Sequence, residues 1–381
     1  MPIKSWCKNP EEGALEQAVN LSSLPFVFKH VALMPDTHQG YGMPIGGVVA
    51  TKGVIIPNAV GVDIGCGMSA VKTSLKIEHL KRDTLIQIIG NIKKVVPVGF
   101  EHHVEDQDEK LLPISYLPYK DTIVSKEYQN ALKQLGTLGG GNHFIEIQKD
   151  EKGYIWIMIH SGSRNLGFKV AKHYNDIAEK LNKKWYSSVK PELELAFLPV
   201  DTYEGKNYLK EMKYCVDFAF ANRKLMMQRI CNFFSIYFEG ASFNSIINIA
   251  HNYARLENHY GQNVFVHRKG ATCARSGELG IIPGSQGTAS YIVRGKGNPE
   301  SFQSCSHGAG RVMGRNQAKR TLNLKEEIKL MDDKDIIHEI KTVNDLDEAP
   351  GSYKDIDIVM EEQEDLVDIV EKLTPLAVIK G

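Results

Sequence analysis

The placement of glycine constrains this chain more than any other feature. Of its 33 glycines, eight fall between Gly40 and Gly67, four between Gly136 and Gly141, and ten between Gly270 and Gly314. Glycine gathers where a backbone turns sharply or comes close to a ligand. Clusters spread over most of the chain therefore predict one site assembled from loops distant in sequence. The segments between them read as ordinary structure. VFKHVALM (27–34), GYIWIMIH (153–160), NSIINIAH (244–251) and NVFVHR (263–268) are β-branched or aromatic runs that predict strands. Residues 167–186 predict an amphipathic helix through Val170, Ile177 and Leu181, and 206–238 one long helix or two. Helices are also expected over 324–341 and 355–373, the latter with Ile358, Val359, Leu366 and Ile369 in phase. No regular βαβ rhythm appears, so a doubly wound sheet is not indicated. The expected fold is α+β: one large mixed domain over 1–381, with short, mainly antiparallel strands and flanking helices.

Composition narrows the function classes. A chain of 381 residues with 42% hydrophobic and 24% charged residues is that of a globular protein rather than a disordered one. No apolar run approaches the ~20 residues of a spanning helix, and the first residues carry no apolar signal segment. Six cysteines without CxxC spacing argue against a disulfide scaffold and fit a reducing, cytoplasmic setting. Lys plus Arg and Asp plus Glu are both 46, so any nucleic-acid surface must be a local basic groove. The polar, then Pro-spaced stretch 101–122 reads as a surface loop or lid.

Chemistry concentrates in a few segments. GVDIGCGM (61–68) sets Asp63 and Cys66 three residues apart between glycines, a spacing that lets a carboxylate and a thiolate reach one metal. A turn with a buried Cys is the alternative. Two strand patterns end in His160 and His251, and GTLGGGNHFIEI (136–147) adds Asn142, His143 and Glu146. Asp63, Cys66, His143, His160 and His251 exceed one tetrahedral site and suggest two adjacent metals sharing a thiolate, an arrangement suited to phosphoryl transfer. In SCSHGAGRVMGR (304–315), small residues leave the His307 imidazole open to an electrophile. Gly308–Gly310 before a helical run would offer amides to an anion, and Arg311 and Arg315 could pair with phosphates. A further metal-ligand His or a plain turn stays open there. MPDTHQGYGMPIGG (34–47) carries Asp36 and His38, while Arg164 and Lys269 add local positive charge.

These segments together resemble the RtcB family of RNA ligases. MPDTHQGYGMPIGG, GVDIGCGM, GTLGGGNHFIEI, HSGSRNLG, IAHN, HRKGAT, IIPGS, SCSHGAGRVM, EAPGSYKDID and VIKG follow the family's order from about Lys29 to Gly381. The resemblance implies joining of RNA 2′,3′-cyclic phosphate or 3′-phosphate ends to 5′-hydroxyl ends, with GTP and two manganese(II) ions. Asp63, Cys66 and His143 would hold one metal, and Cys66, His160 and His251 the other. His307 would accept GMP, and Asp36 would lie near the metals and assist proton movement. The guanylate pocket would draw on Asn142, His143, Phe144, Ile145, Glu146, His251, Asn252, Pro283, Gly284, Ser285, Gln286, Ser290, His307, Gly308, Ala309, Gly310, Tyr353 and Lys380. RNA would lie along Arg164, Lys269, Arg311 and Arg315. Gln286 stands where the family usually has Met, and the chain is shorter than many relatives around 101–122. A monomer is expected, and an archaease-like helper is among the partners the resemblance suggests.

Overall fold

The runs 27–34 and 153–160 are buried on nearly every residue, so they need cover on both sides. In the computed structural model, which describes residues 1–113 and 121–381, a seven-stranded sheet provides the frame. Its order is Leu279–Ile282, Ser290–Gly295, Val367–Lys380, Phe144–Asp150, Tyr154–Ser161, Gly67–Lys76 and Ile247–Ala250, with every pairing antiparallel. Strand alternation sends Ile145, Ile147, Ile155, Ile157 and Ile159 to one face, against the helices Arg82–Val95 and Tyr203–Tyr237. Met68, Phe144, Trp156, Met158 and Val378 occupy the other, under the helix Leu324–Asp333 and the segment that follows it. A five-stranded sheet, ordered Ile3–Ser5, Val27–His38, Ile45–Thr51, Gln262–Lys269 and Asn252–His259, packs alongside. Only its first pairing is parallel. This is a mixed α+β fold of mainly antiparallel strands.

The helices Arg164–Lys184 and Tyr203–Tyr237 form where expected. Two others do not. The segment 355–373 holds only a short helix, Ile356–Glu361, and then becomes the strand Val367–Lys380. Its apparent helical stripe is not a buried face, because Ile358 and Ile369 are both exposed. Pairing of Val367–Leu373 with Ser290–Gly295, continued by Leu373–Lys380 with Phe144–Asp150, overrides the local period. Pro375 sits beside a register shift, between its pairing with Gln148 and that of Ala377 with Ile147. The helix begun at Leu324 stops at Asp333, and Asp335 turns left-handed (φ 54°) so that Ile337 can bridge Ala377. In the expected loop, residues 109–111 form a short 3-10 turn, and 114–120 lie outside the described residues. All six cysteines are free, and among the described residues no helix is long and apolar enough to cross a membrane.

Candidate metal centre and nucleotide cavity

Register at one end of the large sheet assembles the site. Gly67 pairs with both Ser161 and Ala250, Phe144 with His160, and Lys380 with Phe144. Cys66, His160, His251, Phe144 and Lys380 are thereby brought to the same end of neighbouring strands. Gly67 has no substitute, because a Cβ there would overlap the Ile249 carbonyl.

The donors converge as two groups sharing one sulfur: Asp63, Cys66 and His143, and Cys66, His160 and His251. Cys66 Sγ lies 3.4 Å from His143 Nε2 and 3.2 Å from His160 Nε2, while His160 Nε2 is 3.4 Å from His251 Nε2. His143 Nε2 is 3.1 Å from Asp63 Oδ2. The tautomers follow from the other ring nitrogens. His143 Nδ1 donates to the Leu138 carbonyl at 2.9 Å and His160 Nδ1 to the Asn142 carbonyl at 3.1 Å, so each turns its Nε2 to the cluster as the nitrogen a metal can take. Burial, and then the neighbouring imidazoles, hold His160 and His251 well below the usual histidine range, so both are neutral donors. Burial, and then Asp63, push the Cys66 thiol well above its usual range. Burial opposes charge on Asp63, yet His143 and Arg164 hold its carboxyl low. In the metal-free protein shared protons hold these N, S and O atoms together at such distances, and a cation can take their place, since a coordinated thiol is deprotonated outright. The donor set fits divalent metal ions.

His307 stands on the wall of a cavity of about 1120 Å³, slightly above the roughly 300–1,000 Å³ of ordinary small-molecule pockets. Its Nδ1 donates to Asp36 Oδ2 at 2.6 Å, and the same oxygen accepts the amides of His307 (2.9 Å) and Gly308 (3.3 Å). Burial opposes ionisation of Asp36, but the charge and hydrogen bonds of His307 hold it below the usual carboxylate range. The glycine segment thus serves an internal carboxylate. No helix follows Gly310 directly, since Arg315–Thr321 starts only after Gly314, and the expected helix-terminal anion site is not formed. Gly310 (φ 74°) has to be glycine, as a Cβ would strike the Asp36 carbonyl. Asn252 ties the halves together: its Nδ2 donates to the Asp63 carbonyl at 3.1 Å and its Oδ1 accepts the Gly270 amide at 2.7 Å, beside His307.

Most of the expected nucleotide residues line this cavity, including Asn142, Phe144, Glu146, His251, Asn252, Pro283–Gln286, His307–Gly310, Tyr353 and Lys380. Three do not. Ile145 points to the opposite sheet face and packs in the helix-side core, and Ser290 is buried with its hydroxyl between Gln148 and the Gly284 amide. His143 faces the donor cluster around Cys66 instead. Burial raises Glu146 to about 8, against the pull of Lys380. Of the expected RNA-facing cations, Arg311 and Arg315 line the cavity but both pair with Glu348, at 3.2 and 3.1 Å. Lys269 is buried, its Nζ donating to the carbonyls of Tyr41 (2.5 Å) and Asn58 (3.0 Å), and burial lowers it to about 7. Arg164 sits behind Asp63, away from the cavity lining, and donates to Thr137 Oγ1 at 3.2 Å. Sequence reasoning missed Glu348, which also binds the Tyr353 hydroxyl and Lys380. Its signal was a carboxylate inside EAPGSYKDID, a segment otherwise quoted only for its pattern.

Fold and site together define a class: a mixed α+β protein whose clustered N, S and O donors can hold metal beside an aspartate-supported imidazole. The chain belongs to the RtcB family, whose model, described as tRNA-splicing ligase RtcB, matches residues 17–381. It is 40% identical to the RNA-splicing ligase RtcB of Escherichia coli K12, over 100% of this chain and 97% of that protein. It is 34% identical to the tRNA-splicing ligase RtcB of Nanoarchaeum equitans, over 98% and 93%, and 33% identical to that of Thermococcus kodakarensis, over 98% and 92%.

Proposed function

We propose that this chain is an RNA ligase of RNA repair or tRNA splicing, consuming GTP to join 2′,3′-cyclic phosphate or 3′-phosphate ends to 5′-hydroxyl ends. The observation that carries the reading is the 2.6 Å contact of His307 Nδ1 with buried Asp36, next to the shared-sulfur cluster. With Nδ1–H committed to Asp36, the lone pair sits on Nε2 and is free to act as nucleophile. Two manganese ions, one held by Asp63, Cys66 and His143 and one by Cys66, His160 and His251, supply when bound the positive charge that lets phosphate approach phosphate.

His307 Nε2 attacks the α-phosphorus of GTP, pyrophosphate leaves, and Asp36 stabilises the imidazolium character of the phosphoramidate. Water opens a cyclic phosphate to a 3′-phosphate. An oxygen of that 3′-phosphate displaces the imidazole and takes the GMP, giving an RNA-3′-pp-5′-G end. The 5′-hydroxyl then attacks the RNA phosphorus, and GMP leaves. Capping is needed because a phosphomonoester has no good leaving group of its own. Glu146 and Lys380 offer a carboxyl and an ammonium for the base, and Arg311 and Arg315 exchange part of their Glu348 pairing for phosphates. The whole chain, 1–381, acts as one domain, as a cytoplasmic monomer. Incubation with α-labelled GTP and manganese labels the protein, and an RNA chase removes the label. Equal labelling of His307→Ala refutes the nucleophile, and release of inorganic phosphate without adduct refutes ligation chemistry.

A further inference from the structure

The long helix Tyr203–Tyr237 carries two adjacent polar residues, Asn222 and Arg223, that are fully buried and unused by the chemistry above. Asn222 Oδ1 accepts the amides of Gly136 (2.7 Å) and Thr137 (3.1 Å). Its Nδ2 donates to the Thr137 carbonyl (3.1 Å), Ser161 Oγ (3.1 Å) and the Gly162 carbonyl (3.2 Å). Arg223 Nη1 donates to the carbonyls of Gly65 (2.9 Å) and Ser161 (2.8 Å), and its Nε to Asn248 Oδ1 (2.7 Å). Each of these contacts adjoins or leads to a metal donor. Gly65 precedes Cys66, Ser161 follows His160, Asn248 lies on the strand that runs into His251, and Gly136–Thr137 open the loop to His143.

A buried guanidinium is expensive unless its charge is offset. No carboxylate among the described residues forms an ion pair with Arg223, and its Nη2 is buried without a partner. Its guanidinium carbon lies 4.9 Å from the Phe220 ring centroid, and the groups whose ionised forms would favour its charge are Cys66 and Asp63 themselves. Ordinary packing needs no such residue at this point, where an apolar side chain would leave no charge to solvate. A rigid helix that grips every donor-bearing loop explains it.

We propose that Asn222 and Arg223 are positioning residues of the metal centre, one polar pair on one helix fixing the segments that deliver all its donors. The inference rests on reading the cluster as a metal centre. Its test needs no RNA and no turnover: Co²⁺ titration of the full chain, followed by the thiolate-to-cobalt absorption band, with Mn²⁺ equilibrium dialysis beside it. Arg223→Gln and Arg223→Lys weaken both ions roughly 10- to 100-fold. Lys retains the charge but cannot reach two carbonyls and the Asn248 amide together, so it does not rescue. Met227→Ala, a fully buried change on the same helix, lowers Tm yet keeps affinity within about twofold. Should the Gln variant fail to fold, the Lys variant carries the comparison. Wild-type affinity in the Arg223 variants overturns the inference, as does an equal loss in Met227→Ala, which would mean general loosening. A wild-type protein that binds neither ion overturns the reading of the centre, and this inference with it.

Discussion

At the scale of single residues, the site works by committing one face of each group to the protein so that the other face is free for chemistry. Asp36 does this for His307, and the carbonyls of Leu138 and Asn142 do it for His143 and His160. Asp36→Asn keeps the shape, removes the charge and allows the wrong tautomer. Guanylylation followed by α-labelled GTP should fall roughly 10²- to 10⁴-fold, with Tm little changed. Glu146 gives a pH prediction. Its folded pKa of about 8 lies above the ordinary ~4.3, so the folded state holds a proton that the unfolded state has released between those values. Its contribution to stability is full below ~4.3 and lost as pH rises toward 8. Urea denaturation of the metal-free protein should therefore show Glu146→Gln gaining on the wild type as pH climbs from 5 to 8. A constant difference would mean that Glu146 titrates normally.

At the scale of elements, the clearest lesson comes from 355–373. Its apolar residues suit a helix by spacing, yet Val367–Leu373, rich in β-branched residues, is claimed by the strand Ser290–Gly295, and the chain continues from Leu373 as the partner of Phe144–Asp150. The two structures bury different residues, which makes the difference measurable. In the strand Leu373 is fully buried and Ile369 is 55% exposed. Leu373→Ala should cost ~2–5 kcal/mol by chemical denaturation, and Ile369→Ala less than about 1 kcal/mol. Reversal of that order would restore the helix. Glycines divide in the same way. Gly310→Ala, at φ 74° against the Asp36 backbone, should lose ~1–3 kcal/mol and most labelling. Gly314→Ala, with open space around it, should stay within about 0.5 kcal/mol. The helix Tyr203–Tyr237 was legible in outline from its sequence, but Asn222 and Arg223 were not. Nothing local distinguishes a buried polar pair from a solvated one.

At the scale of the whole molecule, donors from Asp63 to His251 come together only when the large sheet closes, so metal binding as proposed would be linked to folding. Manganese should raise the Tm of the wild type, by an amount equivalent to ~2.7 kcal/mol at a hundredfold excess over Kd, and leave Cys66→Ala unmoved. An equal shift in that variant would place the ion elsewhere. The sequence by itself determined the cast. Cys66, His143, His160, His251 and His307 stood out because each needs glycine or strand-end company that is written locally. Tertiary structure decided their partners. That Asp36 supports His307 across 271 positions, that Ile145 turns away while Glu146 faces the cavity, and that Glu348 holds both arginines are consequences of register and packing between distant segments. Local spacing encodes which groups a chain can offer; only closure of the sheets sets the distances at which their charges and lone pairs act.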